Sequence, residues 1–328
     1  MTVGYSRLLR PVRVLPFLLP MSAAIAQTDT AALQWLQRIY TATQTLSYTG
    51  TFVYHQGQQV ETSRITHVVE SSGPRERLEA LDGVPREIIR TRDEVVCYLP
   101  ESMKVKIDRQ PGHQGFPGIL PAQIKELSEN YSITRGQIER VGGYNCQIIA
   151  LEPRDRMRYG HRLWADLNTG MLLKAKTFNE KNEVVEQFAF TQLKIGGSID
   201  RDQLRSRFSR ESRGWRVEDS TATNANLAEA GWSIRAKPPG FRTITELVRT
   251  LGGTSGVGHI VLSDGLAAVS VFIEPAAGKQ PAPQPGLVRQ GATNVYVRPV
   301  GNHWITVVGE APAESVKYIA NAVEYRKQ

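Results

Sequence analysis

Residues 136–195 read GQIERVGGYNCQIIALEPRDRMRYGHRLWADLNTGMLLKAKTFNEKNEVVEQFAFTQLKI. Apolar and polar residues alternate through this stretch with a period of two, the mark of half-buried strands. The alternation breaks at Gly142-Gly143, at Asn168-Thr169-Gly170 and at residues 180–182, where turn-forming residues cluster. Strands are therefore expected over 136–141, 144–152, 159–167, 171–179 and 183–195. Connections this short join antiparallel neighbours.

The same period holds upstream. Strands are expected over 47–55, 59–69, 75–81, 86–91 and 94–99, with Asp82-Gly83 as a tight turn. Met103, Val105 and Ile107 then alternate with Lys104, Lys106 and Asp108. Ahead of these runs, Thr28 and Asp29 suit the N-cap of a helix that carries Leu33, Leu36, Ile39 and Tyr40 on one face and ends near Thr45. Residues 109–121 hold three glycines and three prolines, which marks a loop and a candidate flap. A helix is expected over 121–130, with Ile124 and Leu127 on its apolar edge. The tally is roughly ten or eleven strands in one meandering antiparallel sheet, and a sheet that wide curls.

Downstream the pattern changes. Residues 198–226 are polar and weakly periodic, and read as a short helix followed by a linker. Ile244, Leu247, Val248 and Leu251 have helical spacing. Residues 259–263 and 267–274 form a hairpin around Asp264-Gly265, and 294–300 and 303–309 a second around Gly301-Asn302. A last helix starts near Pro312 and carries Val316, Ile319, Ala320 and Val323. The fold expected is mainly β: a large curved antiparallel sheet, a half-barrel, over 27–204, a linker over 205–230, and a smaller α+β domain over 231–328.

Residues 1–26 contain Arg7, Arg10 and Arg13 and no acidic residue, then an apolar run that ends in Ala24-Ile25-Ala26. This reads as a secretory signal peptide, and so as export out of the cytoplasm. Its removal takes the formal net charge from +8 to +5. Later apolar runs fall well short of the ~20 residues that span a bilayer as a helix. In an exported protein nucleic acid is not an expected partner.

The 328 residues include two cysteines, which excludes a four-cysteine metal site and a disulfide-dense scaffold. Cys97 and Cys146 both lie in strand-like runs with their thiols on apolar faces. Two readings stand: a disulfide in an oxidising compartment, or two separate buried thiols. The six histidines at 55, 67, 113, 161, 259 and 303 show no pair at i, i+3 or i+4. There is no H-E-x-x-H, G-x-S-x-G, Walker A or G-x-G-x-x-G motif. No metal, cofactor or catalytic site is expected.

Weight therefore shifts to binding. Phe52, Tyr54, Phe188 and Phe190 sit in the expected strands 47–55 and 183–195, and Trp164 lies opposite in parity to Leu163. These five residues are either ordinary sheet core or the lining of an apolar pocket for acyl chains.

Several segments also carry a family resemblance: LDGVPREIIR at 81–90, RYGHRLWAD at 158–166 with Thr169-Gly170 after it, and EQF at 186–188. PPGF at 238–241, SDGL at 263–266 with VSV at 269–271, and VVGE at 307–310 continue the same order. Together they resemble the MucB/RseB family, periplasmic negative regulators of an extracytoplasmic stress sigma factor. The resemblance implies a large domain similar to the lipoprotein carriers LolA and LolB. It implies a partner, the periplasmic part of an inner-membrane anti-sigma factor, which binding shields from proteolysis. It further implies release by lipid signals such as lipopolysaccharide. For partner contact the candidates are Ser263, Asp264 and Gly265, which also read simply as a hairpin turn. A lipid or lipoprotein carrier in the periplasm is the alternative function, an unrecognised hydrolase the third, and a homo-oligomer remains open.

Overall fold

The computed structural model describes residues 29–109, 120, 124–220, 222–251, 253–276 and 283–326. The expected leader and most of the Pro/Gly-rich stretch 109–121 lie outside the described residues.

Helix α1 (Thr30–Thr45) begins at Asp29, whose carboxylate accepts the Ala31 N–H at 2.9 Å. Ala32, Leu36 and Ile39 on its apolar stripe are buried. Then follow β1 (Tyr48–Gln56), β2 (Gln59–Glu70), β3 (Gly73–Ala80), β4 (Glu87–Arg90), β5 (Val95–Leu99) and β6 (Lys104–Asp108). The helix expected over 121–130 is shorter, a 3-10 turn at Ile124–Glu126 running into α2 (Leu127–Asn130). The decisive stretch forms β7 (Tyr131–Val141), β8 (Tyr144–Pro153), β9 (Gly160–Asp166), β10 (Leu172–Phe178) and β11 (Val184–Ile195).

These strands and β12 (Arg216–Ser220) make one twelve-stranded sheet in the order β12-β6-β5-β4-β3-β2-β1-β11-β10-β9-β8-β7. The sheet bends enough for the β7–β8 hairpin to reach β11 across β9 and β10. There the Tyr144 hydroxyl donates to the Leu193 carbonyl at 2.9 Å.

The rest of the chain forms β13 (Ala222–Asn224), β14 (Trp232–Ile234), β15 (Arg242–Leu251), β16 (Thr254–Ser263), β17 (Ala268–Pro275), β18 (Gly286–Gln290), β19 (Thr293–Val300), β20 (His303–Gly309), α3 (Ala313–Ala322) and β21 (Val323–Tyr325). Seven of these strands make a second sheet, β13-β15-β16-β17-β20-β19-β18, and β14 pairs with β21. Leu262, Val269, Val271, Ile305 and Val307 meet Val316 and Ile319 of α3 in its core.

Two expectations are corrected. Residues 242–251 form a strand, not a helix: β15 pairs with β16 along its length. The spacing of Ile244, Leu247, Val248 and Leu251 fits a helix, but Thr243, Ile244, Thr245, Val248 and Thr250 are β-branched and favour the pleated form. The expected linker is also structured. Its β12 pairs in parallel with β6 of the first sheet, and its β13 pairs with β15 of the second.

Of the two readings open for the cysteines, the structure has separate thiols, Cys97 half-buried on β5 and Cys146 buried on β8. Seven strands lie between β5 and β8 in the sheet order. At about 4.8 Å per strand that separation far exceeds the roughly 7 Å between Cα atoms that a disulfide tolerates. Burial raises both thiol pKa values, that of Cys146 to about 11.

Candidate functional site

Cross-strand register sorts the expected pocket residues. One row runs Arg135–Ile149–Leu163–Ala175–Phe188–Tyr54 across β7, β8, β9, β10, β11 and β1. Directly opposed residues share a face, so all six point one way. Arg135 binds Asp29 at the start of α1 at 2.8 Å, which identifies this as the face that α1 covers. Phe52 and Phe190 oppose each other on the same face. Phe52, Phe188 and Phe190 pack edge to face, with ring centroids 5.8 to 6.5 Å apart. Gly50 makes room for them: a Cβ there would stand 2.7 Å from the Phe190 ring. All three phenylalanines are buried.

Tyr54 is the polar end of this wall. Its hydroxyl donates to Glu186 Oε1 at 2.5 Å. Burial and the Glu186 charge push the phenol far above its ordinary pKa. The Glu186 carboxyl is itself raised by burial. Glu310, just past β20 of the second sheet, is exposed as a residue, yet its carboxyl is pushed up to about 7 by desolvation and by the Glu186 charge.

Trp164 does not belong to this wall, a correction to the expected cavity. Its row is Ile148–Trp164–Lys174–Ala189–Val53, on the opposite face. The indole N–H donates to Glu139 Oε2 at 2.8 Å, and Lys174 Nζ stands 4.5 Å above the ring. Parity opposite to Leu163 was the signal that separated it from the phenylalanines.

The Ser263-Asp264-Gly265 turn sits between the two sheets. Asp264 Oδ1 accepts the N–H groups of Leu266 and Ala267 at 3.0 and 2.8 Å. Its Oδ2 takes Arg158 Nη1 at 2.6 Å and the Tyr131 hydroxyl at 3.3 Å. Ser263 Oγ bonds the Ala267 carbonyl and accepts the Gly265 N–H. Gly265 holds φ 98°, a conformation that favours glycine. Leu266 joins the core of the first sheet. Ser263 and Asp264 are both buried: the Ser263 hydroxyl closes its own turn, and the Asp264 carboxylate makes the contact between domains.

Arg158, absent from the expected site residues, is the hub of that contact. It also donates to the Pro239 carbonyl at 2.5 Å and to both Asp155 oxygens at 3.0 Å. Its guanidinium stands 5.6 Å from the Tyr131 ring and 5.6 Å from the Phe241 ring. Three segments of the family resemblance, at 158–166, 238–241 and 263–266, thus converge on one point. Asn294 Nδ2 to the Tyr159 hydroxyl at 2.9 Å, Ser315 Oγ to the Met157 carbonyl at 2.5 Å and Arg249 Nη2 to Asp108 at 3.0 Å extend the contact. Two adjoining clefts of about 430 and 380 Å³ open beside it; both are lined by Arg156 and Glu180. Among the described residues no cluster of His, Cys, Asp and Glu could hold a metal ion, and no helix is long and apolar enough to cross a membrane.

Comparison with known proteins gives a consistent result. A model described as the MucB/RseB N-terminal domain matches residues 31–208, and one described as the MucB/RseB C-terminal domain matches 226–324. The chain is 32% identical over 307 residues to the sigma factor AlgU regulatory protein MucB of Pseudomonas aeruginosa, covering 92% of this chain and 93% of that protein. It is 25% identical over 306 residues to the sigma-E factor regulatory protein RseB of Salmonella typhimurium, covering 93% and 94%. Among solved structures, MucB in complex with MucA(peri) superposes with a TM-score of 0.69 at 30% identity, over 90% of this chain and 100% of that one.

Proposed function

Because the chain belongs to the MucB/RseB family, whose members are regulatory binding proteins and not enzymes, we propose that it restrains an envelope stress response from the periplasm. It binds the periplasmic part of an inner-membrane anti-sigma factor and keeps that segment from the protease that would begin its degradation. Lipid or lipopolysaccharide releases it, by preferring the free regulator to the bound one.

The observation that carries this reading is a likeness spanning both domains to MucB solved together with MucA(peri). An acyl chain would act at the inner aromatic wall of Phe52, Tyr54, Phe188 and Phe190 by parting its packed rings, since the three phenylalanines are buried. The regulator reading is preferred to the carrier because a carrier needs the curved sheet alone. Here a second domain is locked to that sheet through a buried ion pair.

The test is calorimetric titration of the mature protein with the periplasmic segment of the host's anti-sigma factor, with and without lipopolysaccharide. Binding that lipopolysaccharide abolishes is expected. Failure to bind the segment while lipid is still taken up would overturn the regulator in favour of the carrier.

A further inference from the structure

Residues 207–216 read RFSRESRGWR, in the polar stretch between the two sheets. Four arginines against Glu211 give a formal +3, more than half the +5 of the chain without its leader. The segment closes on itself. Phe208 and Trp215 pack with ring centroids 5.7 Å apart. The Ser212 N–H donates to the Phe208 carbonyl at 2.8 Å, and the Trp215 N–H to the Ser212 carbonyl at 3.0 Å. Residues 209–214 thus form a tight loop on an aromatic base, with a 3-10 turn at Glu211–Gly214.

That turn sorts the charges. Arg210 immediately precedes it in helical backbone geometry, so Arg210 and Arg213 stand three residues apart. Side chains at that spacing eclipse in a 3-10 turn. The two guanidinium groups therefore leave the loop on one side, and Glu211 is turned away from them. All three residues are exposed. Carboxylates in the neighbourhood are engaged by other cations. Glu79 and Glu87 each hold Arg207 at 3.2 Å, and Glu218 holds Lys104 at 3.0 Å and stands 3.8 Å from Arg216. Among the described residues no carboxylate comes within 4.0 Å of Arg210 or Arg213.

Apolar side chains adjoin the loop. The Arg216 N–H donates to the Met103 carbonyl at 2.9 Å, and Val217 opposes Val105 across the β12–β6 pair. Met103 and Val217 are 63% and 56% exposed, at the edge of the twelve-stranded sheet. Phe208 and Trp215 are half-buried.

We propose that this corner of the first domain docks on the surface of an anionic phospholipid bilayer, with Arg210 and Arg213 among the headgroups and Met103, Val217 and Trp215 at the boundary with the acyl chains. A bilayer offers its charge as a plane, so the arginines need a common side and not a common point. Charge and hydrocarbon lie within a few ångströms of each other there, which suits arginines beside exposed aliphatic and aromatic groups. An acidic protein surface would answer the arginines and leave Met103 and Val217 in water. The inference does not rest on the anti-sigma reading, and it concerns a bilayer surface rather than an acyl chain at the phenylalanine wall.

The test uses the mature chain, the double variants Arg210→Gln/Arg213→Gln and Met103→Gln/Val217→Ser, and Lys317→Gln as an exposed control on α3. Co-sedimentation is measured with vesicles of phosphatidylcholine alone and of phosphatidylcholine mixed equally with phosphatidylglycerol, at low and high salt. The wild type and the control are expected to bind the anionic vesicles, more weakly at high salt, and to leave the neutral ones in solution. At about fivefold per arginine near an anionic surface, the arginine variant should lose tenfold or more in affinity. The apolar variant should lose roughly threefold or more, through contact with hydrocarbon. Melting temperatures should stay close to wild type, since all four side chains are exposed. No binding to anionic vesicles, or wild-type affinity in either double variant, overturns the proposal. Binding to soluble polyglutamate but not to vesicles overturns it in favour of an acidic protein partner.

Discussion

Arg158 and Asp264 stand 106 residues apart in the chain and meet at 2.6 Å, with no side-chain surface left exposed on either. The pair joins the loop before β9 to the turn between β16 and β17, and so fixes one domain against the other. Removing one partner strands a buried charge, which is far costlier than the pair is stabilising. Asp264→Ala is expected to lower unfolding free energy by about 3–5 kcal/mol in denaturant titration. A loss under about 1 kcal/mol, the range of exposed pairs, would show that the contact is not closed to water in solution.

Gly50 is expected to resist substitution for steric reasons. Its Cβ would meet the Phe190 ring at 2.7 Å and the Gln192 carbonyl at 2.8 Å. Gly50→Ala should destabilise the first domain by about 1–3 kcal/mol, as overpacked cores do. Unchanged thermal unfolding would mean that the phenylalanine cluster is loosely packed.

Both thiols are expected to be free in the mature protein. Denatured without reductant, it should take up two maleimide groups by mass spectrometry, one for each of Cys97 and Cys146. In the native state Cys146 should react much more slowly, since it is buried and its pKa is raised to about 11. A mass without maleimide would establish a bridge and contradict the sheet order.

A carboxyl with a raised pKa and histidines with lowered ones should act on the pH dependence with opposite signs; His259, also lowered to about 4, acts in the same sense as His161. Glu310 has its pKa raised from 4.5 to about 7, so its contribution is full below pH 4.5 and is lost as pH rises through 7. His161 is lowered by burial from 6.5 to about 4, so its contribution is full above pH 6.5 and is lost as pH falls through 4. The stability of wild type relative to Glu310→Gln should therefore fall as pH rises between 4.5 and 7 and stay level above. Denaturant titrations of both proteins across that range read the difference directly; a constant difference would place Glu310 in ordinary water.

Much of the large sheet was legible locally. The period of two, the glycine turns at 142–143 and the break at 168–170 lie within a few residues of the strands they bound, and each strand there formed. The period was ambiguous at 242–251, where one set of apolar positions satisfies both spacings. There the hydrogen-bonding edge of β16 decided the outcome. The polar 205–230 segment gave no alternation strong enough to announce β12 or β13. Those strands exist because two sheet edges were available to pair with them.

From its sequence alone this protein has its strand-rich character, its turns, its two helices of substantial length and its family. These rest on local spacing and on the order of motifs along the chain. Tertiary structure alone decided which residues meet. Trp164 went to the outer face because parity is a property of each strand, while facing depends on register with its neighbours. Cys97 and Cys146 stayed apart because the order of strands in a sheet is set by the whole packing. Asp264 found Arg158 because folding brought a 106-residue separation down to hydrogen-bond distance, where desolvation makes each charge require the other.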